Sequence, residues 1–105
     1  MTDNAIIRYN AHFRKKDRMV YISHLNLMTL FRRAIRRAGL PFVLTKGFTP
    51  RIKISMPKAL KMGQESESEE FSFWLSRAID PDSLTSAINS ELPEGISILK
   101  VEKGR

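Results

Sequence analysis

The sequence predicts an α+β fold of the ferredoxin-like, split βαβ kind: an antiparallel sheet with two helices on one face. Three observations lead there. Periodicities of two and of about 3.6 alternate along the chain in the order β, α, β-β, α, β. Both helical stretches carry their own start and stop signals. The 105 residues, 42% of them hydrophobic, suit one modest core, so a single domain over 1–105 is expected.

Ile7, Tyr9, Ala11 and Phe13 alternate with Arg8, Asn10, His12 and Arg14, the pattern of a half-buried strand whose second face is polar and mostly basic. Residues 14–18, Arg-Lys-Lys-Asp-Arg, read as a charged turn, and Met19–Ile22 as a short edge strand. Ser23 stands at an N-cap position, and Leu27, Met28, Phe31, Ala34, Ile35 and Ala38 recur at helical spacing until Gly39 and Pro41 stop the run. Residues 41–62 contain a short apolar run, a Lys-Gly-Phe-Thr-Pro turn, and then Ile52, Ile54 and Met56 alternating with Arg51, Lys53 and Ser55: strand, turn, strand, followed by a basic loop around Pro57. The acidic stretch Gly63–Glu70 leads directly into alternating Phe71, Phe73 and Leu75, so its end belongs to a strand rather than a linker. Asp80-Pro81 opens a second helix with Leu84, Ala87, Ile88 and Leu92 on its buried stripe. Ile96, Ile98 and Val101 close the sheet.

The chain has no cysteine, which removes disulfides, thiolate metal sites, cysteine-held iron–sulfur clusters and cysteine nucleophiles; no cofactor is expected on this chain. No run of 18 or more apolar residues and no leader-like N-terminus is present, so a cytoplasmic protein without membrane contact is expected. The net charge of +7 is lopsided: residues 1–62 balance at +12 and residues 63–105 at −5. A basic half of that kind is a candidate footprint for a polyanion, RNA above all, although charge also serves solubility.

The sharpest basic feature lies on the first helix. At about 100° per residue, Arg32, Arg33, Arg36 and Arg37 fall within roughly 140° of arc on the side away from the apolar stripe. Guanidinium groups bind phosphate bidentately, and Lys46, Arg51, Lys53, Lys58 and Lys61 extend the charge into the following segment. The competing reading is a solvated face neutralised by the acidic 63–70 stretch. On the sheet face left open by the helices, the alternation places Arg8, Asn10 and His12 with Trp74, a basic surface with one aromatic, as in RNA-stacking sheets. A lone Trp also commonly packs instead. His24, just after the cap, is the weak candidate for a general base, with Tyr21 or a lysine assisting. No glycine-rich phosphate loop, HExxH motif or nucleophile elbow occurs.

Four segments together carry a resemblance: Tyr21 to Met28, including Ser23, His24 and Asn26; Arg36 to Pro41; Lys46-Gly47-Phe48-Thr49-Pro50 leading into Lys53-Ile54-Ser55; and Gly63 to Glu67, including Ser66. In this combination the chain, from about Ile7 to about Val101, resembles the radical SAM-linked protein family. That is a bacterial domain of unknown function, found alone or at the C-terminus of radical SAM proteins, with genes near those for ribonuclease E/G and ribosomal proteins. Asn26 stands where the family usually has Asp, and Arg51-Ile52 where it commonly has His-Pro. Members are often longer, which makes this chain either a compact variant or the N-terminal part of something larger.

The resemblance implies an accessory to RNA or ribosome-related chemistry, with any iron–sulfur cluster on a separate radical SAM partner. The leading expectation is therefore an RNA-binding accessory domain that is not itself an enzyme, in which Ser23, His24 and Asn26 join residues 47–53 in a recognition site. The alternatives are a metal-independent endoribonuclease using His24, and a protein adaptor that docks a radical SAM enzyme or an RNase.

Overall fold

The computed structural model describes residues 6–59 and 61–104; Met1–Ala5, with the N-terminal stretch read above for a leader, Leu60 and Arg105 lie outside the described residues. Four strands and two helices follow in chain order: β1 (Ile7–Lys15), α1 (His24–Arg37), β2 (Ile54–Ser55), β3 (Ser66–Leu75), α2 (Pro81–Asn89) and β4 (Ile96–Lys103). The sheet order is β2-β3-β1-β4 and every neighbouring pair is antiparallel. β3 thus lies between β1 and β2, the arrangement that defines the split βαβ motif.

The strand alternation sorts the side chains as the sequence requires. On one face Tyr9, Ala11 and Phe13 of β1 sit opposite or beside Phe71, Phe73 and Leu75 of β3, all buried. Leu27, Phe31, Ala34 and Ile35 of α1 and Leu84 and Ile88 of α2 cover the same face and complete one contiguous core. Aromatic rings hold its centre: Phe31 stacks on Phe71 at 4.1 Å between centroids, and Phe13 meets Phe31 edge-on at 4.9 Å. Truncating such a ring to Ala costs about 3–5 kcal/mol, a large part of a small domain's stability.

Both helices start where their caps place them. Ser23 Oγ accepts the Asn26 N–H at 3.1 Å, and Asp80 Oδ2 accepts the Ser83 N–H at 3.0 Å. α1 ends before Gly39, whose φ of +71° is the left-handed conformation that favours glycine.

Three expectations need correction. Met19–Ile22 is not an edge strand: Asp17–Tyr21 form a short 3-10 turn, entered through Asp17 at φ 57°. β1 is already paired on both sides, by β3 and by β4 out to Lys15↔Ile96, so a strand following directly on it has no place beside it. Residues 14–18 are not wholly a turn either, because Arg14 and Lys15 continue β1. Lys15 is 1% exposed, and its ammonium donates to the carbonyl oxygens of Lys61 at 2.9 Å and Val20 at 3.5 Å. Finally, the strand expected after Pro41 is reduced to single bridges at Phe42 and Leu44, and β2 is only two residues long. The strand-like end of the acidic stretch is present: β3 begins at Ser66.

Candidate nucleic-acid interface

The segment between α1 and β2 folds back on itself as a narrow finger. Leu44 bridges Ile52, the Lys53 N–H donates to the Val43 carbonyl at 2.7 Å, and the Thr45 N–H donates to the Arg51 carbonyl at 2.7 Å. The Arg51 N–H closes the loop onto Thr45 Oγ1 at 3.1 Å. Lys46–Pro50 therefore form the tip, where Gly47 adopts φ +124° and Pro50 fixes the return. The root is tied to the sheet edge by the Val43 N–H, donated to the Trp74 carbonyl at 3.3 Å, and by Phe42 bridging Leu75.

α1 supplies the charge beside this finger. Arg32 Nε donates to the Ile52 carbonyl at 3.0 Å and so clamps the finger's second arm to the helix. Partial burial, with the nearby Arg51 guanidinium as the second cause, moves Arg32 below the usual arginine range. Arg32, Arg33, Arg36 and Arg51 line one shallow depression with Thr29, Pro50 and Ile52. The Arg36 guanidinium also lies 5.3 Å from the Phe42 ring centroid, a cation–π contact that orients it.

The four helix arginines do not form one uniform face. Arg37, together with Arg33, borders a different depression beside the end of α2, shared with Leu30, Ser90, Glu91 and Leu92. A wide arc on a helical wheel straddles whatever neighbours stand on its two flanks, and here those neighbours are the finger and the α2 terminus.

On the open sheet face, Arg8 pairs with Trp74, Asn10 with Ser72 and His12 with Glu70, the orientation that the alternation predicts. Trp74 is half-buried, with Lys53 Nζ 4.6 Å and the Arg8 guanidinium 5.8 Å from its ring centroid. Arg8 is held in turn by the Ser72 hydroxyl at 3.1 Å, which donates to Asn10 Oδ1 at 2.7 Å. Further along, His12 Nε2 meets Glu102 Oε2 at 2.8 Å, and that hydrogen bond, aided by Lys100, lowers the Glu102 carboxyl below its ordinary pKa.

The finger's root thus carries cations on both sides: Arg32, Arg33, Arg36 and Arg51 beside the helix, Lys53 and Arg8 on the sheet. Among the described residues three ion pairs occur: His12–Glu102, Lys58–Glu69 and Lys100–Glu102. None involves these six cations, Arg37 or Lys46. The acidic 63–70 stretch forms no ion pair with them, although its Glu69 and Glu70 border one depression together with Arg8.

The start of β3 holds Lys61 and Ser66, and Lys58 stands between them and Arg8, bordering one depression with each. Lys58 reaches Glu69 at 3.9 Å, and Lys61, Ser66 and Glu69 border a cavity over the buried Lys15; the Ser66 hydroxyl is hydrogen-bonded to the Glu69 carboxylate. Gly63 donates its N–H to the Val20 carbonyl. The register places Lys15↔Ser66 at one end of the β1–β3 pair and Arg8↔Trp74 at the other, seven residues or about 23 Å apart. Of α1, the residues that line the depression with Pro50–Ile52 are Thr29, Arg32, Arg33 and Arg36; Ser23, His24 and Asn26, at the start of the same helix, are not among them. Ser23 and Asn26 serve the helix cap. His24 Nδ1 is buried without a hydrogen-bond partner among the described residues, so nothing there orients the ring as a base.

Comparison with known proteins adds a family. The model of an uncharacterized protein conserved in bacteria (DUF2344) matches residues 8–105. The chain belongs to that family. The DUF2344 match takes in the sheet, both helices and the finger together. Neither the curated proteins nor the solved structures give a match.

Two features escape sequence reasoning. Phe48 is expected in the turn and the recognition segment, but its full projection, at 106% relative exposure on the finger tip, is not given by its residue type. The signal for it is present: it falls inside the Gly-Phe-Thr-Pro turn, off the alternation of the two arms. Lys15 reads as solvated, and its burial rests on the carbonyl of Lys61, 46 residues away, which no local pattern contains.

Proposed function

We propose that this chain is an RNA-binding accessory domain whose contact surface is the finger and the arginines around its root. The observation that carries the reading is the convergence of Arg32, Arg33, Arg36 and Arg51 at Pro50–Ile52 with no described carboxylate within ion-pair distance. Arginines packed side by side repel one another, and such a cluster is stabilised when phosphate oxygens accept its N–H donors. Arg32 gives its Nε to the finger backbone and keeps its Nη donors, while Arg33, Arg36, Arg51 and Lys46 have no side-chain hydrogen bond among the described residues and are the four groups assigned to phosphates.

Binding has a defined signature. Four phosphate contacts on a single strand give log K against log salt a slope of about −3, so affinity falls roughly fiftyfold between 50 and 200 mM salt. Fluorescence anisotropy with labelled RNA at several salt concentrations measures it. A flat dependence removes the proposal.

The resemblance noted from the sequence favours a setting beside radical SAM or ribosome-linked RNA chemistry. In that setting the domain presents RNA to a separate enzyme that carries its own cluster. Pull-down with and without nuclease treatment separates this from a purely protein-docking adaptor, since a contact bridged by RNA is lost on digestion.

A further inference from the structure

We propose that Phe48 stacks on an unpaired base, so that the finger directs the arginine cluster to single-stranded or looped RNA in preference to continuous duplex. This rests on the RNA-binding reading and adds a ligand form to it. Of the chain's six phenylalanines, Phe13, Phe31, Phe71 and Phe73 lie in the core and Phe42 is half-buried beneath Arg36; Phe48 alone projects fully into solvent. It stands there on a hydrogen-bonded turn. The tip is closed by the reciprocal Thr45–Arg51 hydrogen bonds, bent by Gly47 and Pro50, and clamped at its root by Arg32.

The ring is unoccupied in a way that Trp74 is not. Lys53 and Arg8 already lie against the Trp74 ring, whereas Phe48 has neither an aromatic nor a cationic neighbour among the described residues. An exposed ring set between phosphate-binding cations is the arrangement that holds a strand by its backbone and a base at once. In an A-form duplex the base faces are closed and the major groove is too deep and narrow for a side chain, so the ring finds no partner there. A lipid surface fits less well, because one ring supplies little of the apolar area that stable anchoring needs.

The test uses the full chain, a labelled oligoadenylate, an RNA duplex of the same length, and vesicles containing phosphatidylserine. Phe48→Ala is expected to weaken oligoadenylate binding about tenfold, to leave the salt slope unchanged, and to alter duplex binding little. Phe48→Leu, which keeps apolar bulk without a π face, should behave like Ala, while Phe48→Trp retains affinity. Equal melting temperatures confirm that the exposed site leaves the fold intact. If wild type binds both RNAs with a salt slope and Phe48→Ala changes neither, stacking is wrong and the arginine reading survives. If no RNA binds, the parent reading fails first. Vesicle binding that depends on Phe48, with oligoadenylate binding unaffected by it, assigns the tip to membranes and overturns the proposal.

Discussion

Replacing Arg33, Arg36 and Arg51 together by glutamine removes the charge at the finger's root while leaving its scaffold in place. Arg32 is kept because its Nε holds the Ile52 carbonyl at 3.0 Å, and Arg37 because it borders Glu91 rather than the finger. All three replaced residues are exposed, so the fold should survive; the main structural loss is the Arg36–Phe42 contact, about 0.5–1 kcal/mol at an exposed site. The binding effect is larger. Each single-strand phosphate contact contributes about 0.7 to the salt slope, so losing three changes it from about −3 to about −1. Between 50 and 200 mM salt the variant should then lose roughly threefold in affinity where wild type loses roughly fiftyfold. Anisotropy titrations of both proteins, each first checked by thermal melting, measure the difference. An unchanged slope in a folded variant would show that these guanidiniums do not meet phosphates.

Other parts of the structure make separate predictions. Tyr9→Phe removes a buried hydroxyl that donates to the Ile79 carbonyl at 3.0 Å and accepts the Ile79 N–H at 2.9 Å; urea unfolding should show a loss of about 1–3 kcal/mol. Gly95 has φ +99°, and an added Cβ would stand 2.6 Å from Met19 Cγ and 2.8 Å from the Lys16 carbonyl oxygen. Gly95→Ala should therefore cost about 1–3 kcal/mol in the same assay, and a neutral result would contradict that geometry. Glu102 has its folded-state pKa lowered by the His12 hydrogen bond, so the stability it adds is present above the ordinary carboxylate range and is lost as pH falls through the lowered value. Wild type should exceed Glu102→Gln slightly in stability at neutral pH, and the gap should close in acid; a gap that widens in acid would reverse the assignment.

Most of the fold is legible in the sequence because its signals are local. The alternation from Ile7 to Phe13 fixes which residues face the helices, and Ser23 and Asp80-Pro81 mark both helix starts to the residue. What escapes depends on distant partners. Met19–Ile22 is apolar enough for a strand, but the place beside β1 where it would fold back is occupied by β4. Burying Lys15 requires the loop carbonyls of Val20 and Lys61. The candidate site is half legible for the same reason. The arginines can be counted on a wheel, but only the finger's return past Ile52 selects which of them converge, and only the strand register separates Ser66 from Arg8 and Trp74.

The most direct measurement is a map of backbone amide chemical shifts as a short single-stranded RNA is added to the labelled chain. The largest changes are expected at Arg32–Arg37 and Thr45–Lys53, with little change at Tyr21–Asn26 and Lys61–Ser66. Changes centred on that second group, or no saturable change at low salt, would contradict it.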